Sequence, residues 1–193
     1  MTAIAVHIQV ERGHVDLDAP VARYWPEFAA NGKAEITMTQ VLAHEAGVPQ
    51  MPAGVTPEKQ CDWDWMISAL AAEAPLYRPG TQAAYMIVNQ GWILGEVVRR
   101  TDPAERDFAT FVEEEVCAPL GINDLWIGRP AEAAARVATL YRDGSRPAPA
   151  SPPPYAELAQ PRAVAVGPWI ARVTWYSSLP ARNQSDTDIS VAP

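Results

Sequence analysis

P-G-T-Q-A-A-Y-M-I-V-N-Q-G-W-I-L-G-E-V-V-R-R, running from Pro79 to Arg100, changes character twice. Pro79-Gly80 is a turn dipeptide. Thr81 to Tyr85 is too short for a helix and predicts an extended piece. From about Val88 the spacing becomes helical. Gly91, Trp92, Gly95 and Val98 fall at three- and four-residue intervals, and Arg99-Arg100 occupy the last turn, where cations complement the helix dipole. Tyr85 therefore stands at a junction between a turn and a buried helix, a place where a side chain can face a cleft while a rigid element holds it. Taken alone, such a tyrosine is a half-buried aromatic with a hydrogen-bonded hydroxyl. Its company along the chain decides whether it is more.

Outward from this stretch, the totals bound the answer. A chain of 193 residues with 48% hydrophobic residues suits one domain with a sizeable core. A net charge of -8 argues against nucleic acid or an anionic membrane, since both need a basic face. No apolar run approaches the length of a membrane span. No charged-then-apolar leader is visible, which leaves the cytoplasm as the default compartment. Cys61 and Cys117 are far apart and predict two buried thiols.

N-terminal to the tyrosine, Thr2 to Glu11 predicts a core helix with apolar residues on more than one side: Ala3, Ile4, Ala5, Val6, Ile8 and Val10. Gly13 stops it. Asp16 and Asp18 are expected as local caps or turn formers. Asn31-Gly32 is a turn. Thr37 to Gln40 fits a capping box, followed by a short helix carrying Val41, Leu42 and His44 and ended by Gly47. Pro49 to Pro57 is a loop. Asp62 is expected to cap a helix that Pro75 closes. On it Trp63 and Trp65 point to different sides, one into the core and one toward a cleft. Asp107 caps a further helix with Phe108, Phe111, Val112 and Val116 on its apolar face and Glu113, Glu114 and Glu115 toward solvent. Ala131 to Tyr141 allows one more short helix. Residues 145–161 are a Pro-rich linker, and residues 162–193 a loose or strand-like tail.

The chemistry narrows by elimination. His44-Glu45 begins like H-E-x-x-H, but Val48 stands where the second histidine would be, and no cysteine pair has ligand spacing, so no metal is expected. Neither Lys33 nor Lys59 follows a Gly-rich run, which removes a phosphate loop. No serine has the G-x-S-x-G frame of a nucleophile elbow. What is left of serine chemistry pairs Ser and Lys at i and i+3, on one helix face, so that the amine takes the hydroxyl proton. A tyrosine shares that work only beside a cation, since with an ordinary pKa near 10 about one in a thousand is ionised at neutral pH. S-x-x-K and K-T-G are both absent from these residues.

The order of segments nevertheless resembles the serine beta-lactamase and penicillin-binding-protein superfamily, in particular class C beta-lactamase-related hydrolases and family VIII esterases. The matching pieces are V-E-R-G-H-V-D-L-D-A-P-V-A-R-Y-W-P (Val10 to Pro26), I-T-M-T-Q-V-L-A-H-E-A-G-V-P (Ile36 to Pro49), Y-R-P-G-T (Tyr77 to Thr81), Tyr85 with G-W-I-L-G-E-V-V, and A-P-L-G-I (Ala118 to Ile122). The resemblance covers about Met1 to Tyr141. It implies a mainly α-helical fragment (residues 1–144) of the α/β (α+β) beta-lactamase/transpeptidase-like fold, with most of the central antiparallel sheet missing. It also implies acyl transfer through an acyl-serine, a small ester or amide substrate, and no cofactor.

By the same resemblance Tyr85 matches the tyrosine of the Y-x-N motif, which moves the proton to and from the nucleophile. The Asn of that motif is Ile87 here, which favours an ester over a lactam. His44 and Gly47 match a structural turn near the cleft. The nucleophile and its lysine are expected before Met1, and the third motif after this chain ends, so the chain as it stands is expected to be inactive. The alternative is a non-catalytic binding or regulatory protein in which Trp63, Trp65 and Trp92 line a small apolar pocket with Tyr85.

Overall fold

The computed structural model describes residues 1–128, 130–140 and 189–191. Helix α1 (Thr2–Glu11) packs along α5 (Asn89–Thr101). It buries one face, Ala5, Val6 and Gln9, while Ala3, Ile4 and His7 are exposed. The expectation of a helix buried on more than one side is corrected accordingly. Small Ala5 lets the two helices approach. Gln9 also bonds across the contact, its Nε2 donating to the Thr101 hydroxyl at 3.0 Å.

The segment after α1 is built from short turns. Asp16 forms a local turn, its carboxylate accepting from the Asp18 amide at 3.0 Å. A 3-10 turn follows at Val21–Arg23, and two more, joined across a kink at Ala30 and Asn31, lie within Pro26–Gly32, with Asn31 and Gly32 both at positive φ. Helix α2 (Met38–Leu42) opens on the expected capping box, with Thr37 and Gln40 bonding each other's backbone amides. The Pro49–Pro57 loop runs into a single helical turn, α3 (Pro57–Gln60), that its Pro-rich approach does not announce.

Helix α4 (Trp63–Ala72) starts on the Asp62 cap, where the carboxylate accepts from the Trp65 amide at 3.0 Å. Its C-terminus is closed by residues distant in sequence. Asn31 Nδ2 donates to the Ala72 carbonyl at 2.7 Å. Lys33, fully buried, donates to the carbonyls of Ala30 at 2.7 Å, Ala71 at 2.9 Å and Glu73. An ammonium at that end satisfies carbonyls that lack helical partners and meets the negative pole of the helix.

Helix α5 is the centre of the molecule, with Ile93, Leu94, Val97 and Val98 buried against residues of α1, α2 and α4. Helix α6 (Phe108–Val112) is capped by Asp107, which accepts from Thr110 N at 2.7 Å. It continues through a wider turn at Glu113–Cys117 and a tighter one at Ala118–Leu120, ending on Gly121 at φ +66°. Phe108, Phe111, Val112 and Val116 are all buried, as their spacing predicts. Cys117 is buried, but Cys61 is exposed rather than buried.

Residues Ala131–Arg136 form a 3-10 turn, and Ala138–Leu140 (β1) is a strand, not the end of a helix. It pairs antiparallel with Ile189–Val191 (β2), and this ladder is the only sheet among the described residues. The linker at 145–161 and nearly all of the tail at 162–193 lie outside the described residues. No described helix is long and apolar enough to cross a membrane.

Candidate active site

Two strips of backbone, residues 44–47 and 76–86, are knitted together edge to edge. Leu76 N donates to Gly47 O at 2.8 Å, Gly80 N to Glu45 O at 2.9 Å and Ala84 N to His44 O at 3.0 Å. Gly47 is required at this seam. Its φ is +79°, and a Cβ there would lie 2.6 Å from the Tyr77 carbonyl oxygen.

His44 is not on the helix. Helix α2 stops at Leu42, and His44 adopts φ +61°, a left-handed conformation uncommon outside glycine. That conformation turns both its carbonyl and its ring toward the second strip. The carbonyl takes the Ala84 amide, and ring Nδ1 accepts the Met86 amide at 3.1 Å. Because Nδ1 is an acceptor, the neutral ring carries its proton on Nε2. Burial holds the His44 pKa below the ordinary histidine value, which favours the same neutral form.

Tyr85 lies between these two grips. Its neighbours Ala84 and Met86 are 2% and 1% exposed, whereas Tyr85 is 57% exposed. This is the alternation of an extended strand, and it puts the phenol on the open side. The Tyr85 ring packs against the His44 ring, with centroids 4.6 Å apart and planes inclined by 58°. A neutral imidazole supplies no positive charge, so a cation that stabilised a Tyr85 phenolate would have to be another group. Tyr77, the neighbouring phenol, is no rival base: burial raises its pKa above the ordinary tyrosine value, so it keeps its proton.

The tryptophans gather elsewhere on the chain. Trp63 packs on Trp92, with centroids 4.7 Å apart, and on Phe108 at 6.0 Å. Its indole N–H donates to Glu96 Oε2 at 2.7 Å. Glu96 is fully buried and also accepts from Arg99 and Arg100. Burial works to raise its pKa, but the hydrogen bonds from Arg99, Arg100 and Trp63 outweigh that and hold it below the usual carboxylate range. Trp65, on a different side of α4 as expected, lies under the Lys59 ammonium, 4.7 Å from its ring centre. The structure thus brings Trp63 and Trp92 to one contact and His44 and Tyr85 to another.

Sequence reasoning missed the first two residues of α5. Asn89 Nδ2 donates to the carbonyls of Val48 at 3.0 Å and Gln50 at 2.5 Å. Gln90 Nε2 donates to those of Val41 at 3.1 Å and Leu42 at 3.0 Å, the open end of α2. The signal available in the sequence was two adjacent carboxamides opening a helix whose next turn is Gly-Trp-Ile-Leu.

A helical body with an exposed tyrosine on a clamped extended segment is the helical part of the α/β beta-lactamase and penicillin-binding-protein-like fold, and comparison with solved structures agrees. The chain superimposes on a penicillin-binding protein homolog from Caulobacter crescentus with a TM-score of 0.71 and 37% identity, over 85% of this chain and 43% of that one. A family VIII carboxylesterase gives a TM-score of 0.67 and 39% identity, over 70% of this chain and 37% of that one. The chain belongs to the beta-lactamase family, whose model matches residues 1–183. Among curated relatives, the esterase/beta-lactamase LipL of Mycobacterium tuberculosis is 38% identical over 141 residues, 72% of this chain and 32% of LipL. The chain spans about a third of the length of the first curated relatives it matches.

Proposed function

We propose that this chain is the tyrosine-bearing helical part of a serine hydrolase that cleaves small esters or amides through an acyl-serine. In it Tyr85 moves the proton to and from the nucleophile. The serine and its lysine partner belong to residues outside these 193, since no S-x-x-K occurs within them. The observation that carries the reading is the exposed phenol of Tyr85, fixed between two backbone amides that donate to the His44 carbonyl and ring, in a family whose relatives include esterases. An ester is favoured over a lactam because Ile87 offers no side-chain amide where the Y-x-N motif has Asn. His44 and Gly47 shape the turn and take no part in proton transfer.

The test is a chimera in which residues 1–140 replace the matching region of the family VIII carboxylesterase. Tyr85→Phe in that chimera is expected to lower kcat for a short acyl ester by about 100-fold or more, with KM little changed. Equal kcat for the two chimeras would end the proton-transfer reading.

A further inference from the structure

We infer that Asn89 and Gln90 are positioning residues for Tyr85, and that they act by gripping the His44 turn from both sides. The inference rests on the proposed part of Tyr85 and extends it to how that phenol is held. The turn carrying His44 is bordered by Val41 and Leu42 before it and by Val48 and Gln50 after it. The two carboxamides of α5 take one border each: Gln90 holds the carbonyls of Val41 and Leu42, and Asn89 those of Val48 and Gln50. Between the borders His44 holds Ala84 and Met86.

The chain from Ala84 to Gln90 therefore closes a ring of hydrogen bonds. His44 grips the extended segment on either side of Tyr85, and the helix that follows this segment grips the His44 turn. The root of that ring is rigid, because Asn89 is 1% exposed and Ile93, Leu94 and Val97, just beyond, are fully buried. Tyr85 is the exposed residue within the ring, so its backbone is located from both ends while its phenol stays open. Loss of either carboxamide would leave two carbonyls bordering the His44 turn without these donors. What would be lost is the register between α5 and the His44 turn.

The test is amide hydrogen exchange on the 193-residue chain, with Tyr85 ring resonances recorded alongside. Gln90→Ala, at a partly exposed position, is expected to speed exchange at Ala84 and Met86 by about tenfold. The Tyr85 ring signals should move toward unstructured values as the contact with His44 loosens, while Leu94 to Val98 stay protected. Gln90→Lys, which keeps a donor for the same two carbonyls, should restore slow exchange. Unchanged exchange at Ala84 and Met86 would overturn the inference, and so would acceleration spread equally over Leu94 to Val98. Exchange reports the grip whatever chemistry Tyr85 performs. Failure of the Tyr85→Phe chimera test would therefore remove the proton-transfer reading and leave this measurement to stand or fall alone.

Discussion

At the scale of single residues, His44 sets the site. A left-handed backbone lets one histidine bond two amides that flank Tyr85, with its carbonyl on one side and its ring on the other. The ring bond exists only while Nδ1 is unprotonated. Burial lowers the folded-state pKa of His44 below its unfolded value, so the folded chain binds fewer protons than the unfolded one between the two values. His44 thus permits full stability above the unfolded value of about 6.5 and costs stability as pH falls below it toward the folded pKa. The expected outcome is a loss of protection at the Met86 amide and a shift of the Tyr85 ring signals over that acid window. A proton NMR titration checks it. Signals that stayed fixed through His44 protonation would show that the Nδ1 bond does not hold the segment. The sequence could place His44 near the turn but not off the helix, because nothing in L-A-H-E-A-G marks which residue before Gly47 takes positive φ.

At the scale of elements, what could be foreseen was what is local. Thr37, Asp62 and Asp107 cap the helices they precede because a cap needs only a side-chain oxygen and an amide two or three residues on. The change from extended to helical backbone between Tyr85 and Asn89 was visible in the same way. Partners far along the chain were not visible. Lys33 closes α4 across 38 and 40 residues, and Glu96 meets Trp63 across 33. Periodicity also overstated the burial of α1, since a segment with apolar residues on several sides does not say which of its faces is covered. Two glycines of α5 test the packing directly. A methyl added at Gly91 meets open space, whereas a Cβ on Gly95 would lie 2.9 Å from the Trp63 ring and 3.3 Å from that of Phe108. Alanine gains about 1 kcal/mol over glycine inside a helix, and overpacking costs about 1–3 kcal/mol. Gly91→Ala is therefore expected to raise the unfolding midpoint. Gly95→Ala is expected to lower it, because Trp63 is tethered to Glu96 and cannot swing away. Thermal unfolding of the two variants checks the opposite signs.

At the scale of the whole molecule, the described residues build a helical body with a single two-stranded ladder, and the chain covers between 32% and 43% of LipL and the two solved relatives. The proposed chemistry rests on the same matched segments as the body. Tyr85 and its turn could be found because they lie within the matched segments, whereas a serine–lysine pair could only be found missing. The central claim is that this chain supplies the proton-transfer tyrosine and not the nucleophile. Intact-mass spectrometry of the purified 193-residue chain after incubation with a short acyl ester and with nitrocefin, with turnover followed in parallel, tests it most directly. The account predicts an unmodified mass and no hydrolysis of either compound, the same for the chain and its Tyr85→Phe variant. An acyl adduct on a serine, with turnover that Tyr85→Phe abolishes, would contradict it and place the nucleophile within these residues.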